Sequence, residues 1–395
     1  MNNTVPMEIS FTHIVMEGTA YEVGRQQGEE LMKDKKRGTY LTPPLPFLAP
    51  YSRREAQTAL NYIERYCPGL IEEIQGAADG FGVPAEKIAF LGGKNKKSGY
   101  SSIPVSESPS GNRSKCSQLV VLPSTTEDNH LYAAQNTDCG PADLDLRLCT
   151  TRVEGKPAHI GFSDMIFGRS TGINEYGFCV TTSWGAPMMW PPCRGLPYFA
   201  VVRALLDRCS NVDQALQTLG NIPIAWCTNI IISDPTGVSA LIEVAGEDRS
   251  MKRIEKESSD QFLCATNHYT SPELHAYTKN RRRESIIRRQ TIESRLEDAI
   301  PRVKKEMIRD LLAKPFPAGI CMHHYGDGLG TLWSTIFDVT ETTVEVCFGT
   351  PGSDKNQWHS FGLRDPIGTV QYKAYLTNKA AKPDFWNCLP AEPDS

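Results

Sequence analysis

What most constrains this chain is an abrupt change of character at Cys116. Residues 92–115 are dominated by Gly, Ser, Asn, Pro and Lys and show no apolar period, the composition of an exposed, cleavable loop. The run 117–122 that follows is rich in branched apolar residues and reads as a strand. A thiol therefore stands where a cleavable loop becomes a strand. Cutting the bond between Lys115 and Cys116 would leave a thiol and an α-amine on one residue. An α-amine titrates near pH ~8, so it can accept the thiol proton directly or through water. No separate histidine is then required.

Upstream of that junction the chain reads as helical. One segment, 22–35, carries Val23, Gln27 and Leu31 at four-residue steps; a second, 53–80, should end or kink at Pro68. Downstream, short strands are expected at 117–122, 131–135, 179–182, 230–233 and 239–244, separated by turn signals at 174–177 and 234–237. These have the look of antiparallel hairpins. Helices return at 198–208, after Asn211, where Gln214 completes a capping-box pattern, and at 284–299; strands 331–338 and 343–348 follow. Strand groups interleaved with helix pairs predict layered α+β structure around one core. The expected organisation is a helical segment 1–115 ending in the cleavable loop and a strand-rich segment 116–395, packed as one globular unit.

Composition narrows the function. With 395 residues, 40% hydrophobic and 22% charged, the chain lies in the range of folded globular proteins. A net charge of −4 supplies no basic field for a phosphate backbone, so nucleic acid is not an expected partner. The basic cluster 279–283, with Arg288 and Arg289, falls on a Glu-rich helix and reads as a solvated face. No apolar run reaches the ~18 residues of a membrane span, and the first residues lack a secretory pattern, so no membrane partner and a cytoplasmic location are expected. Twelve cysteines at irregular spacing, without a Cys-x-x-Cys pair, read mostly as reduced core residues. His323 and His324 are adjacent and would point apart on a strand, so no metal site is expected. No phosphate-binding loop of Walker spacing occurs either.

The strand after Cys116 and Ser117 leads through a turn containing Asn129 and His130 to a second strand ending in Gln135-Asn136-Thr137-Asp138. A hairpin of this length returns Asp138 to the thiol's end of the sheet. This pairing of Cys116-Ser117 with Gln135-Asn136-Thr137-Asp138 resembles the motif of the acyl-coenzyme A:6-aminopenicillanic acid acyltransferase (isopenicillin-N acyltransferase) family. Further blocks are similar to that family's in the same order: Gly18 to Gly24 with Gly28, the helix pair from Tyr198 through Asn211 to Leu216, and Asn229 to Asp234 with Glu243. Thr266-Asn267-His268-Tyr269 and Phe348-Gly349-Thr350-Pro351 complete them.

The resemblance implies an N-terminal-nucleophile (Ntn) hydrolase with a four-layer αββα sandwich, shared with choloylglycine hydrolases and penicillin V acylases. It also implies Cys116 as nucleophile, unmasked by self-cleavage, and Asn229 as a donor to the oxyanion, a role worth roughly 3 kcal/mol per donor. Asp138 is best placed to hold the new α-amine; the alternative is a turn carboxylate. Ser117, Asn136, Asn267 and His268 are secondary candidates, and an Arg of the 281–283 run, Arg282 or Arg283 among them, would supply a guanidinium. No resident cofactor is implied; the partner is a linear acyl amide or an acyl thioester, acyl-coenzyme A included, and the two fragments would stay associated. The run 184–190, with Met188 and Met189, reads as core packing or as the wall of an acyl pocket.

One departure is Lys115, where the family commonly has Gly. Two other readings stay open: a papain-like hydrolase working uncut, with His268 or a His of the 323–324 pair as base, and a catalytically silent binding protein on the same scaffold.

Overall fold

The computed structural model describes residues 6–33, 53–93, 115–141, 146–185, 194–278 and 280–390. Strands and helices are numbered along the chain. Nine strands make the first sheet, in the order β10 (Asp248–Ile254), β9 (Ser239–Ala245), β8 (Cys227–Ser233), β7 (Cys179–Trp184), β6 (Gly168–Asn174), β5 (His159–Asp164), β4 (Arg147–Val153), β1 (Met7–Gly18) and β17 (Gly368–Leu376). The second runs β11 (Phe262–Ala265), β2 (Lys115–Val121), β3 (Tyr132–Cys139), β14 (Leu329–Asp338), β15 (Thr343–Phe348) and β16 (Trp358–Phe361), with β13 (His323–His324) beside β14. A separate pair joins β12 (Asn280–Arg282) to β18 (Cys388–Pro390). Pairing is antiparallel throughout both sheets, except that β1 runs parallel to β4.

The side chains sort these sheets into layers. Phe11, Phe162 and Ile231 of the first sheet and Val120, Trp333 and Phe348 of the second share one dry core. There Phe162 stacks on Trp333 with ring centroids 4.1 Å apart. The outer face of the first sheet is covered by α1 (Ala20–Lys33), α2 (Arg53–Tyr66), α3 (Leu70–Phe81), α4 (Ala85–Gly93), α5 (Tyr198–Leu206) and α6 (Val212–Asn221). The outer face of the second is covered by α7 (Arg283–Ala299) and α8 (Lys305–Ala313), through Ile292, Leu296, Ile308 and Leu311 against Leu119, Val121 and Ile336. Helix, sheet, sheet, helix is the four-layer α+β sandwich that the resemblance implied.

The strands expected from alternation are present, and Pro68 falls in the break between α2 and α3. The opening of the chain differs. It begins not with a helix but with the twelve-residue β1, inserted between β4 and β17, so the segment ahead of Cys116 contributes to the sheet itself. The signal was the alternation Met7, Ile9, Phe11, which precedes the helical pattern. All ten cysteines of the described residues that can be assessed are buried and reduced. No helix of the described residues is long and apolar enough to cross a membrane.

Helices α1 and α3 pack backbone to backbone through Gly24 and Gly28 on one and Gly76 and Gly80 on the other. A Cβ on Gly24 would lie 1.9 Å from the Glu73 carbonyl oxygen, and one on Gly76 would lie 1.9 Å from that of Tyr21. Both obstacles are backbone, so only helix separation could relieve them. Gly76→Ala should therefore lower the free energy of unfolding by at least about 1–3 kcal/mol. Gly220→Ala, on the exposed face of α6 with nothing within 4 Å, should instead gain about 0.5–1 kcal/mol. Equal urea midpoints for the two variants would refute the glycine seam.

Candidate functional site

Alternation along β2 and β3 decides which side chains meet. Val120 lies in the core between the sheets, whereas Leu119 and Val121 face α7 and α8. Counting back by twos, Gln118 and Cys116 face between the sheets, and Ser117 and Lys115 face the helices. The contacts agree. Gln118 Nε2 crosses the gap to Ser183 Oγ at 3.0 Å and to the Asn229 carbonyl at 3.1 Å, while Ser117 Oγ accepts from Arg288 on α7 at 2.8 Å. Cys116 is 5% exposed, at the polar end of the space between the sheets.

The register sets Lys115 opposite Asp138 and Cys116 opposite Thr137. Asp138 thus returns to the Cys116 end, as the hairpin argument required, but on the face it shares with Lys115. Its Oδ1 accepts from Thr331 Oγ1 at 2.6 Å. Its Oδ2 is buried and has no hydrogen-bond partner among the described residues. Burial raises the Asp138 carboxyl to about 7; the nearby Arg288 charge and the Thr331 hydrogen bond oppose that rise.

The guanidinium bonded to the Cys116 backbone is that of Arg288. Arg288 is fully buried on α7, where the sequence suggested a solvated face. It donates to the Cys116 carbonyl at 2.8 Å, to Asn267 Oδ1 at 2.8 Å and to Glu284 Oε2 at 2.6 Å. The same Asn267 Oδ1 accepts the Cys116 backbone N–H at 3.1 Å, and Asn267 Nδ2 donates to the Trp184 carbonyl at 2.9 Å. The peptide of Cys116 is thereby held on its N–H by Asn267 and on its carbonyl by Arg288.

Glu284, one turn before Arg288, is the second residue that the sequence did not single out. Its Oε1 lies 3.0 Å from Lys115 Nζ, in an ion pair whose side chains are 0% and 1% exposed. Burial pushes the Glu284 carboxyl up, but Lys115 and Arg288 outweigh it and hold the group well below its usual range. Burial lowers Lys115 to about 8, against the pull of Glu284, so both members are charged at pH 7. Glu284, Arg288, Ile292 and Leu296 form one buried stripe at steps of four. The apolar half of that stripe is a readable signal; the charged half is not.

The other candidates are placed as follows. Asn229 Nδ2 donates to the carbonyls of Thr266 at 2.9 Å and His268 at 3.3 Å, and so fastens to β8 the loop that carries Asn267. Asn136 Nδ2 donates to the Leu312 carbonyl and its Oδ1 accepts from Ser334, tying β3 to α8 and β14. His268 Nδ1 bonds Ser285 Oγ at 2.8 Å. His323 and His324 bond the carbonyls of Thr377 and Lys379 through their Nδ1 atoms. Arg282 ends β12 with its charge near Lys115, and Arg283 pairs with Asp384 at the surface. Met188 and Met189, like residues 94–114 of the expected cleavable loop, lie outside the described residues.

Comparison with known proteins adds to this geometry. Among solved structures, the chain is similar to a variant of conjugated bile acid hydrolase from Clostridium perfringens (TM-score 0.44, 12% identity, 68% of this chain and 100% of that chain). It is also similar to penicillin V acylase from Agrobacterium tumefaciens (TM-score 0.41, 16% identity, 70% and 100%). A third is the Caenorhabditis elegans ortholog of N-acylethanolamine-hydrolyzing acid amidase (TM-score 0.41, 13% identity, 57% and 93%). None of the curated proteins matches the sequence. A family model matches residues 125–353, more than half of the chain and spanning Asp138, Asn229, Asn267 and Arg288. The chain belongs to the acyl-coenzyme A:6-aminopenicillanic acid acyl-transferase family.

Proposed function

We propose that this chain is a self-processing cysteine enzyme that cleaves or forms linear amide or thioester bonds through an acyl-Cys116 intermediate. The observation that carries the reading is the double hold on the Cys116 peptide, by Asn267 on the N–H and by the buried Arg288 on the carbonyl. Family membership supports the reaction class.

In the first step the Cys116 thiol adds to the Lys115 carbonyl carbon. The C–N bond to Cys116 breaks, the amine takes up the proton, and a thioester to Lys115 remains. Water then cleaves the thioester, leaving a Lys115 carboxylate and a Cys116 that carries both thiol and α-amine. In turnover the α-amine takes the thiol proton as sulfur adds to the acyl carbonyl, and returns it to the departing amine or thiol. Water or an amine then receives the acyl group.

Each neighbour has a part. Asn267 keeps the Cys116 nitrogen in place before and after the cut, and Arg288 fixes the strand end. Asp138, ionised, is the counter-ion that steadies the α-ammonium. Asn229 can serve an oxyanion by exchanging one of its two 3.3 Å bonds, to Ser183 Oγ or to the His268 carbonyl, for the new acceptor.

Intact mass is the direct test. Wild-type protein should resolve into chains of 115 and 280 residues (395 − 115), and Cys116→Ala should stay whole. A full-length, active wild type would falsify this reading and leave the enzyme that works uncut.

The pH dependence follows from Asp138. Its carboxyl is raised to about 7, so it is neutral below that pH and cannot pair with the ammonium; above it the carboxylate is present. Turnover should therefore fall on the acid side as the Asp138 carboxyl is protonated. In Asp138→Asn, kcat/KM should drop about 10²-fold or more and the acid limb should be left to the α-amine alone, displaced from its wild-type position. An unchanged profile would remove Asp138 from the mechanism.

A further inference from the structure

The Lys115 side chain occupies a site built for a cation. Its ammonium is 3.0 Å from Glu284 Oε1 and 5.5 Å from the centroid of the Trp386 ring. Asp138 stands directly opposite on the same face, fully buried, with Oδ2 unpartnered among the described residues. Trp386 is fixed from outside the sandwich. The Arg283–Asp384 ion pair, the Arg283 N–H to the Asn387 carbonyl and the β12–β18 pairing latch the C-terminal segment to the start of α7. A carboxylate and an aromatic face are the two groups that stabilise a desolvated ammonium.

The chemistry of the cut identifies this site. In self-cleavage Lys115 is the acyl component, since its carbonyl is the one that the Cys116 thiol attacks. The cavity around its side chain is therefore the position of an acyl substituent relative to that thiol. When the Lys115 side chain leaves, Glu284 keeps Arg288 alone, and no cation stands between its Oε1 and the Trp386 ring. The emptied pocket lacks a positive charge.

We propose that in the processed enzyme this pocket selects substrates whose acyl group ends in an ammonium at the reach of a lysine side chain, as in lysyl and ω-aminoacyl amides or thioesters. The proposal rests on the reading that cleavage unmasks Cys116. The substrate's cation replaces that of Lys115 between Glu284 and the Trp386 ring, and its acyl carbonyl then lies where the Lys115 carbonyl lay. Turnover is balanced as before: sulfur adds to the carbonyl, the amine leaves with the thiol proton, and water or an amine takes the acyl group.

Processed wild-type protein, its cut verified by intact mass, is assayed on three matched p-nitroanilides: lysyl, norleucyl and Nε-acetyl-lysyl. The lysyl compound should be preferred over norleucyl by 10²-fold or more in kcat/KM, and Nε-acetylation should abolish the preference. Trp386→Leu should reduce the preference for lysyl over norleucyl, chiefly through a higher KM for the lysyl compound. Calorimetry on the same protein reads the pocket without turnover: L-lysinamide should bind and L-norleucinamide should not. A cut and active enzyme that treats the three anilides alike, with no selective binding of lysinamide, overturns this proposal and leaves the proposed function standing. A chain that is never cut overturns both, because Lys115 then never leaves.

Discussion

The burial of Glu284 is the constraint on which the rest of the site depends. A carboxylate out of water is costly unless its oxygens are paired and hydrogen-bonded. Here Oε1 takes the Lys115 ammonium and Oε2 takes the Arg288 fork. Those two partners lie on different elements, the start of β2 and the second turn of α7. Satisfying one carboxylate therefore fixes the helix against the strand. The geometry around Cys116 follows: with Arg288 held by Glu284, its remaining donors reach the Cys116 carbonyl, Ser117 and Asn267. Removing either cation would leave a buried charge uncompensated unless another cation takes its place.

The sandwich separates two kinds of work on the two faces of one strand. Cys116 and Gln118 face the gap between the sheets, where Ser183 and the Asn229 backbone supply polar partners. Lys115 and Ser117 face α7, where the charges are. A register slip of one residue would exchange these environments and put a lysine between the sheets. The pairing of β2 with β3 and β11, and the Leu119 and Val121 contacts below α7 and α8, hold the register that keeps the thiol on the face between the sheets.

Much of this was legible in the sequence because it rests on local pattern. The alternation after Cys116, the turn at Asn129 and the Gln135 to Asp138 strand end sufficed to place Asp138 beside the junction. What escaped was set by tertiary position. Helix α7 carries so many charges that Arg288 resembles its neighbours Arg289 and Arg295, and only the strand beneath it makes Arg288 buried. The steps Glu284, Arg288, Ile292, Leu296 do trace a face, yet the two charged members break the apolar pattern that a sequence reading relies on. β1 was missed for a different reason. From Phe11 to Met16 it is buried on both faces, Phe11 in the sandwich core and Ile14 and Met16 against α1, which interrupts its alternation.

Lys115 joins these strands of argument. A Gly at position 115 would leave the bond before Cys116 free to distort, because no side chain would restrain it. Here the side chain is pinned at its far end by Glu284, and the strand ladder pins the backbone opposite Asp138. The Lys115 carbonyl is consequently positioned by anchoring at both ends rather than by local freedom. Such anchoring favours a fixed approach of the thiol over a strained peptide. The buried ion pair with Glu284 is what holds this strand end against α7. The residue that departs from the family pattern is therefore the one most tightly bound into the site.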